Sequence, residues 1–157
     1  MRPPTLMKQI PTSEGLPRMS KSNLGSCMCG LVTVSCGKAL GLGVYCHCTD
    51  CQKSSGSAFG VSIPFGVETF FALSGELGSF TKFADSGNEL TRHFCSNCGS
   101  PIYGTSPQHP GRVYVKAGIL DDSGLVRPTH ESWCQSKVSW SKIEPELPSF
   151  QKSRSLA

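Results

Sequence analysis

The stretch Cys27-Met28-Cys29-Gly30-Leu31-Val32-Thr33-Val34-Ser35-Cys36 carries two messages at once. From Leu31 onward apolar and polar residues alternate, and the run is rich in β-branched side chains, which is the period-two pattern of a strand. Ahead of it, Cys27 and Cys29 stand two apart. On extended chain both thiols then point to one side and can grip the same ion. Gly30, directly after the second cysteine, allows a left-handed turn. Cys36 shares its strand face with Val32 and Val34 and reads as a core thiol.

Working outward, the same period recurs. Residues 42–47, 58–63, 67–73, 79–83, 89–94 and 112–117 read as strands, and 132–140 as the last. Pro64, Ser74-Gly75 and Ser86-Gly87 read as the breaks between them. Thr49-Asp50-Cys51-Gln52 has the form of a capping box and predicts a short helix opened by Thr49. Residues 1–24, punctuated by Pro3, Pro4, Pro11 and Pro17, read as a flexible leader. One domain is expected over 25–150, with a polar tail at 151–157. The expected fold class is mainly β: packed antiparallel sheets of short strands with one or two helical turns.

Composition bounds the function. A chain of 157 residues and 16.8 kDa is one domain by size and can bury a core without staples. Gly 17 and Pro 11 favour turns and short strands over long helices. A net charge of +4 with no basic run argues against a nucleic-acid partner. No apolar stretch approaches the ~18–20 residues of a membrane span. The N-terminus lacks the apolar region of a secretory signal, so the chain is read as cytoplasmic. Residues 1–26 hold four basic residues and a single acid, Glu14, a composition that a mitochondrial presequence shares.

Nine cysteines, an odd number without a secretory signal, argue for a reducing compartment and against a disulfide framework. Seven fall in three clusters: Cys27 and Cys29; Cys46, Cys48 and Cys51; and Cys95 and Cys98 followed by Gly99. Thiolate clusters of this spacing select zinc, whose structural sites take four ligands in a tetrahedron. Two such sites need eight ligands. Cys46, Cys48 and Cys51 lie within six residues and are expected to share one Zn²⁺. That leaves Cys27, Cys29, Cys95 and Cys98 as a closed four-sulfur site for another. The second site then has three thiolates and an open position, the mark of a catalytic or ligand-binding metal. An eighth ligand from Cys36 or Cys134 would close it. Thiolate content alone also suits an iron–sulfur cluster, and C-x-x-C occurs in redox dithiols; the C-x-C partners favour zinc.

Residues 25–150 resemble the glutathione-dependent formaldehyde-activating enzymes, the CENP-V/GFA domain family with its Mss4-like fold. The matching pieces are Gly25-Ser-Cys-Met-Cys-Gly30, Tyr45-Cys-His-Cys-Thr-Asp-Cys-Gln-Lys53 with Ser55-Gly56-Ser57, and Phe94-Cys-Ser-Asn-Cys-Gly-Ser100. Gly118-Ile-Leu-Asp-Asp122 and the late Trp140 belong to the same pattern. The resemblance implies two zinc sites partitioned as above, and addition of glutathione to formaldehyde, a carbon–sulfur lyase activity. Aligning on Trp133 and Trp140 puts Glu131 where family members often carry a histidine, with His130 one place early.

A thiol, glutathione or another, is therefore expected to bind at the three-cysteine site and to form or break a C–S bond to an aldehyde carbon. Glu131 is a candidate acid/base group there. Lys53 and Arg92 are candidates for attracting an anionic substrate. Phe59 and Phe65 follow the three-cysteine loop as candidate pocket walls, against the alternative of core packing. Strand alternation points His47 away from the ion, toward a supporting role. Two other readings stand beside this one. One is a specialised biosynthetic enzyme acting on a larger metabolite at the same zinc. The other is a non-catalytic zinc-stabilised interaction module. A large pocket at the site would favour the first of these over formaldehyde.

Overall fold

The computed structural model describes residues 23–154. In chain order its elements are β1 (Asn23–Ser26), β2 (Thr33–Cys36), β3 (Val44–Cys46), α1 (Thr49–Ser55), β4 (Gly60–Gly66), β5 (Phe70–Ser74), β6 (Leu77–Phe83), β7 (Glu89–Cys95), β8 (Pro101–Thr105), β9 (Arg112–Lys116) and β10 (Glu131–Ser132). They form a three-stranded sheet, β1-β2-β5, and a seven-stranded sheet, β10-β3-β4-β9-β8-β7-β6. The fold is mainly β, as the sequence pattern predicts. Every pairing between strands is antiparallel except that of β10 with β3.

One core joins the two sheets. Val34, Cys36 and Phe70 come from the small sheet; Ile63, Phe65, Ile102, Val113 and Val115 come from the large one. Burying Phe65 and Phe70 completely contributes about 1.5–3 kcal/mol each. Cys36 lies in this core, fully buried, and burial pushes its thiol up to about 12. Phe65 is core rather than pocket wall.

Several local expectations are corrected. The helix forms where the capping box stands, but its cap is Cys48, which is extended and accepts the Cys51 N–H on Sγ at 3.3 Å. Gln52 is free for another task and donates Nε2 to the carbonyls of His47 and Ser136, at 2.7 and 2.8 Å. Pro64 does not break a strand; it lies inside β4, opposite Tyr114 of β9. Its missing N–H is tolerated because β3 ends at the Val44↔Ser62 pair, and beyond that only the Pro64 carbonyl is used, by the N–H of Leu40. Residues 67–69 form a 3-10 turn ahead of β5 instead of opening the strand. β8 has no counterpart in the sequence reading, because Tyr103 and Gly104 interrupt the apolar alternation that marks the other strands.

The last expected strand, 132–140, shrinks to Glu131–Ser132. Trp133 turns left-handed (φ 58°), which ends the extension, and a 3-10 turn follows at Cys134–Ser136. Of the expected leader, residues 1–22 lie outside the described residues, and β1 starts at Asn23. Of the expected tail, 155–157 lie outside them as well.

Candidate metal centres and the adjoining cleft

The loop before β2 and the end of β7 bring four thiols together from segments 66 positions apart. The ligand atoms of Cys27, Cys29, Cys95 and Cys98 lie within 4.8 Å of one another. Cys27 and Cys29 Sγ are 3.4 Å apart, and Cys29 and Cys95 Sγ 3.8 Å. About 3.8 Å is the edge of a tetrahedron with metal–sulfur bonds of about 2.3 Å, whereas a disulfide needs about 2.05 Å. All nine cysteines are free thiols. Both loops turn on the glycines noted in the sequence, Gly30 (φ 78°) and Gly99 (φ 74°). The Val32 N–H points at Cys27 Sγ, and Ser100 Oγ lies 3.2 Å from Cys98 Sγ. Hydrogen bonds from Ser100 hold the Cys98 thiol down to about 5, a thiolate at neutral pH.

The second group, Cys46, Cys48 and Cys51, sits where β3 passes into α1, again within 4.8 Å of one another. Among the described residues no fourth His, Cys, Asp or Glu joins it at that distance. Cys46 is pushed up first by its neighbour Cys48, and Cys51 first by Cys46; burial adds to both. For Cys48 the contact with Cys46 works downward, but Cys51 and burial outweigh it. Three thiols crowded this way repel as thiolates unless a cation joins them, so the donor set suits a metal ion. Lys116 is the cation that acts on Cys51 in the opposite direction.

His47 lies between two of these cysteines, and alternation turns it away from them into a fully buried site. There its Nε2 donates to Glu131 Oε2 at 2.7 Å, and the same oxygen accepts from Lys137 Nζ at 2.6 Å. Burial pushes the Glu131 carboxyl up, but the hydrogen bonds from Lys137 and His47 more than offset this and hold it below the ordinary value. Cys134 joins His47 and Glu131 as a third group within 4.8 Å, separate from Cys46, Cys48 and Cys51. Its thiol is raised by burial and by the neighbouring Glu131 charge. Since two donors already occupy the shared Glu131 oxygen, this group reads as a hydrogen-bond network rather than a metal cradle. His130 packs edge-on against Phe150, ring centroids 5.6 Å apart.

Beside the three-thiol group opens a cleft with two lobes. The larger, of about 500 Å³, is lined by Phe59, Gly60, Ser54, Ser55 and Lys116, and reaches Cys27 and Ser100 of the four-thiol group. Gly60 marks how close Cys51 lies: a Cβ there would stand 3.2 Å from the Cys51 Cβ and 3.5 Å from its sulfur. The smaller lobe, of about 210 Å³, shares Ser54, Pro101 and Lys116 with the larger and adds Arg92, Phe80, Phe94 and Tyr103. Of the residues singled out in the sequence, Phe59 and Arg92 thus line the cleft, while Lys53 is exposed in the last turn of α1, outside both walls. Lys116 and Lys137 went unnoticed. Each is one ordinary lysine with no motif around it, placed only by the β4–β9 register and by the turn after β10.

The fold and these groups define a mainly β protein with one four-thiol and one three-thiol group, each able to hold a metal ion. The family model described as glutathione-dependent formaldehyde-activating enzyme matches residues 22–136, and the chain belongs to that family. It is 28% identical over 129 residues to a Halomonas elongata protein named "Putative glutathione-dependent formaldehyde-activating enzyme", covering 76% of this chain and 80% of that one. A crystal structure of a Rhodobacter sphaeroides protein shares the fold at a TM-score of 0.54 and 16% identity, over 81% of this chain and 99% of that one. Among the described residues no helix is long and apolar enough to cross a membrane.

Proposed function

We propose that this chain is a zinc-dependent carbon–sulfur lyase-type enzyme that makes or breaks the adduct of a thiol, glutathione by family analogy, with a small carbonyl compound. The observation that carries the reading is a group of three thiols, joined by no fourth protein ligand among the described residues, with a cleft lined by Ser54, Ser55 and Gly60 next to Cys51. A non-catalytic interaction module has use only for closed metal sites, so the cleft favours an enzyme.

Cys46, Cys48 and Cys51 would hold the zinc, which when bound would favour the thiolate form of an incoming thiol. The chain's own residues do the rest. Lys116 places an ammonium beside Cys51, where it draws an anionic thiol into the cleft and offsets the charge of the cysteine thiolates. Ser54 and Ser55 both donate to the Cys51 carbonyl, at 3.3 and 2.7 Å, and fix the helical turn that presents its sulfur. Glu131, bound to His47 and Lys137, is assigned as a positioning residue for the loop rather than as the proton carrier. In the addition direction the S–C bond forms, the carbonyl π pair moves onto oxygen, and the thiol proton ends there. Lysis is the reverse, and neither direction is a redox step.

The test is exchange spectroscopy by NMR on glutathione and formaldehyde with protein carrying two zinc equivalents. Faster exchange with the wild type and none above background with Cys48→Ser supports the reading. A Cys48→Ser protein that keeps both zinc equivalents and the full rate overturns it.

A further inference from the structure

The smaller lobe is more than a one-carbon carbonyl needs. Formaldehyde is close in size to a water molecule, whose share of liquid volume is about 30 Å³. A benzene ring fits a cavity of about 150 Å³. The lobe holds about 210 Å³, and its lining includes Phe80, Phe94 and the nearly buried Tyr103. The sheet register makes room for them. Phe80 of β6 stands directly across from Arg92 of β7, and Phe94 stands across from Gly78, where a Cβ would strike its ring at 2.5 Å. Glutathione has no aromatic group to use such walls, whereas the larger lobe, with Ser26, Ser54, Ser55, Gly60 and Gly118, suits a peptide-like chain.

Charge narrows the class further. Lys116 and Arg92 line the smaller lobe, and no Asp or Glu does. Lys82 holds the Asp50 Oδ1 at 2.8 Å, and the buried Oδ2 forms an ion pair with the Arg92 guanidinium at 3.7 Å, too long for a hydrogen bond. The Arg92 side chain is only 13% exposed. A largely desolvated guanidinium that faces Asp50 only at ion-pair distance, and makes no side-chain hydrogen bond among the described residues, keeps donors for a carboxylate or a similar anion.

We propose that the smaller lobe binds the carbonyl-derived half of the adduct, and that this half is an aromatic carbonyl compound carrying an acidic group. This rests on the reading of Cys46, Cys48 and Cys51 as the thiol site. It places the preferred substrate well beyond formaldehyde in size.

The test is calorimetric binding of S-methylglutathione, S-benzylglutathione and S-(4-carboxybenzyl)glutathione to protein with two zinc equivalents. Ligand-observed NMR on 4-methylbenzoate alone runs beside it. The carboxybenzyl conjugate is expected to bind at least about tenfold tighter than the methyl one. Arg92→Gln should remove the carboxylate's advantage and leave that of the ring, and should abolish the 4-methylbenzoate signal. Phe80→Ser, at a residue 57% exposed and so safe for folding, should weaken both ring-bearing conjugates. Equal affinity for all three conjugates, with no 4-methylbenzoate signal, overturns the proposal while leaving the thiol reading intact. If no glutathione conjugate binds but 4-methylbenzoate does, and is lost in Arg92→Gln, the lobe stands and the thiol reading falls.

Discussion

His47 donates its Nε2 hydrogen to the Glu131 carboxylate at 2.7 Å, joining residues 84 positions apart at the buried underside of the three-thiol loop. The backbone repeats the link: the His47 N–H meets the Ser132 carbonyl at 2.9 Å, and Tyr45 N–H the His130 carbonyl at 3.1 Å. The loop that presents the sulfurs is thus held by the C-terminal segment and not by its own hydrogen bonds alone.

Breaking that link should loosen the loop. Glu131→Ala leaves His47 and Lys137 without their acceptor and is expected to cost about 3 kcal/mol of stability. It should also raise the dissociation constant of the more weakly held zinc by about tenfold. Denaturant melts and chelator competition measure the two effects. An unchanged zinc affinity would confine Glu131 to a purely structural role.

The two metal groups should be separable by single substitutions. Cys48→Ser is expected to lower bound zinc from two equivalents to one with the circular dichroism unchanged. Cys29→Ser should instead unfold or strongly destabilise the chain, because that group ties the β1–β2 loop to the β7–β8 loop. Metal analysis beside thermal melts decides it.

Chelation should be biphasic. The Cys46, Cys48 and Cys51 group, with three protein ligands against four, is expected to lose its metal first, with the four-thiol group following more slowly. A colorimetric zinc indicator followed over time reads the two phases, and a single phase releasing both equivalents would contradict the open-and-closed division.

Lys116→Met keeps the bulk of the side chain and removes its charge. KM for a glutathione adduct should rise about fivefold or more, with the rise shrinking at high salt. Steady-state kinetics at two ionic strengths check this.

Cys36 makes an alkaline prediction. Its folded thiol, at about 12, lies above the ordinary 9.0, so the unfolded chain ionises first. Stability is fully present below pH 9 and is lost as pH rises toward 12, by about 4 kcal/mol at the end of that window. Tyr103, raised by burial from 10.0 to about 12, adds to the loss only above pH 10. Cys36→Ala should therefore lose clearly less stability than the wild type between pH 9 and 10, the remainder coming from other raised thiols such as Cys134. Urea melts across that interval measure the difference.

Much of this was readable from residues alone, because local rules governed it. The strand over Thr33–Cys36 and the glycine turns at Gly30 and Gly99 follow from spacing within a few positions, and the division of seven cysteines follows because Cys46, Cys48 and Cys51 lie close in sequence and leave the other four to meet across 66 positions. The misses have a common cause. Cys48 outcompetes Thr49 as helix cap because its sulfur is already turned toward the site. Trp133 breaks the predicted last strand because the chain must double back onto residues 148–152, a demand set by tertiary contact. Lys116 and Lys137 reach their partners across 65 and six positions respectively, from Cys51 and Glu131, and no pattern in the sequence marks either distance.

That doubling back has a consequence for how the protein is made. Glu131, Trp133 and Cys134 each donate their N–H to a carbonyl of residues 148–152, and Phe150 returns one to the Glu131 carbonyl. During synthesis the earlier strands can begin to pair before residues 148–152 have left the ribosome. The buckle under the three-thiol loop therefore closes only after the antiparallel strands can pair, and a chain cut before residue 148 would leave Glu131, Trp133 and Cys134 without those carbonyls and the loop loosely held.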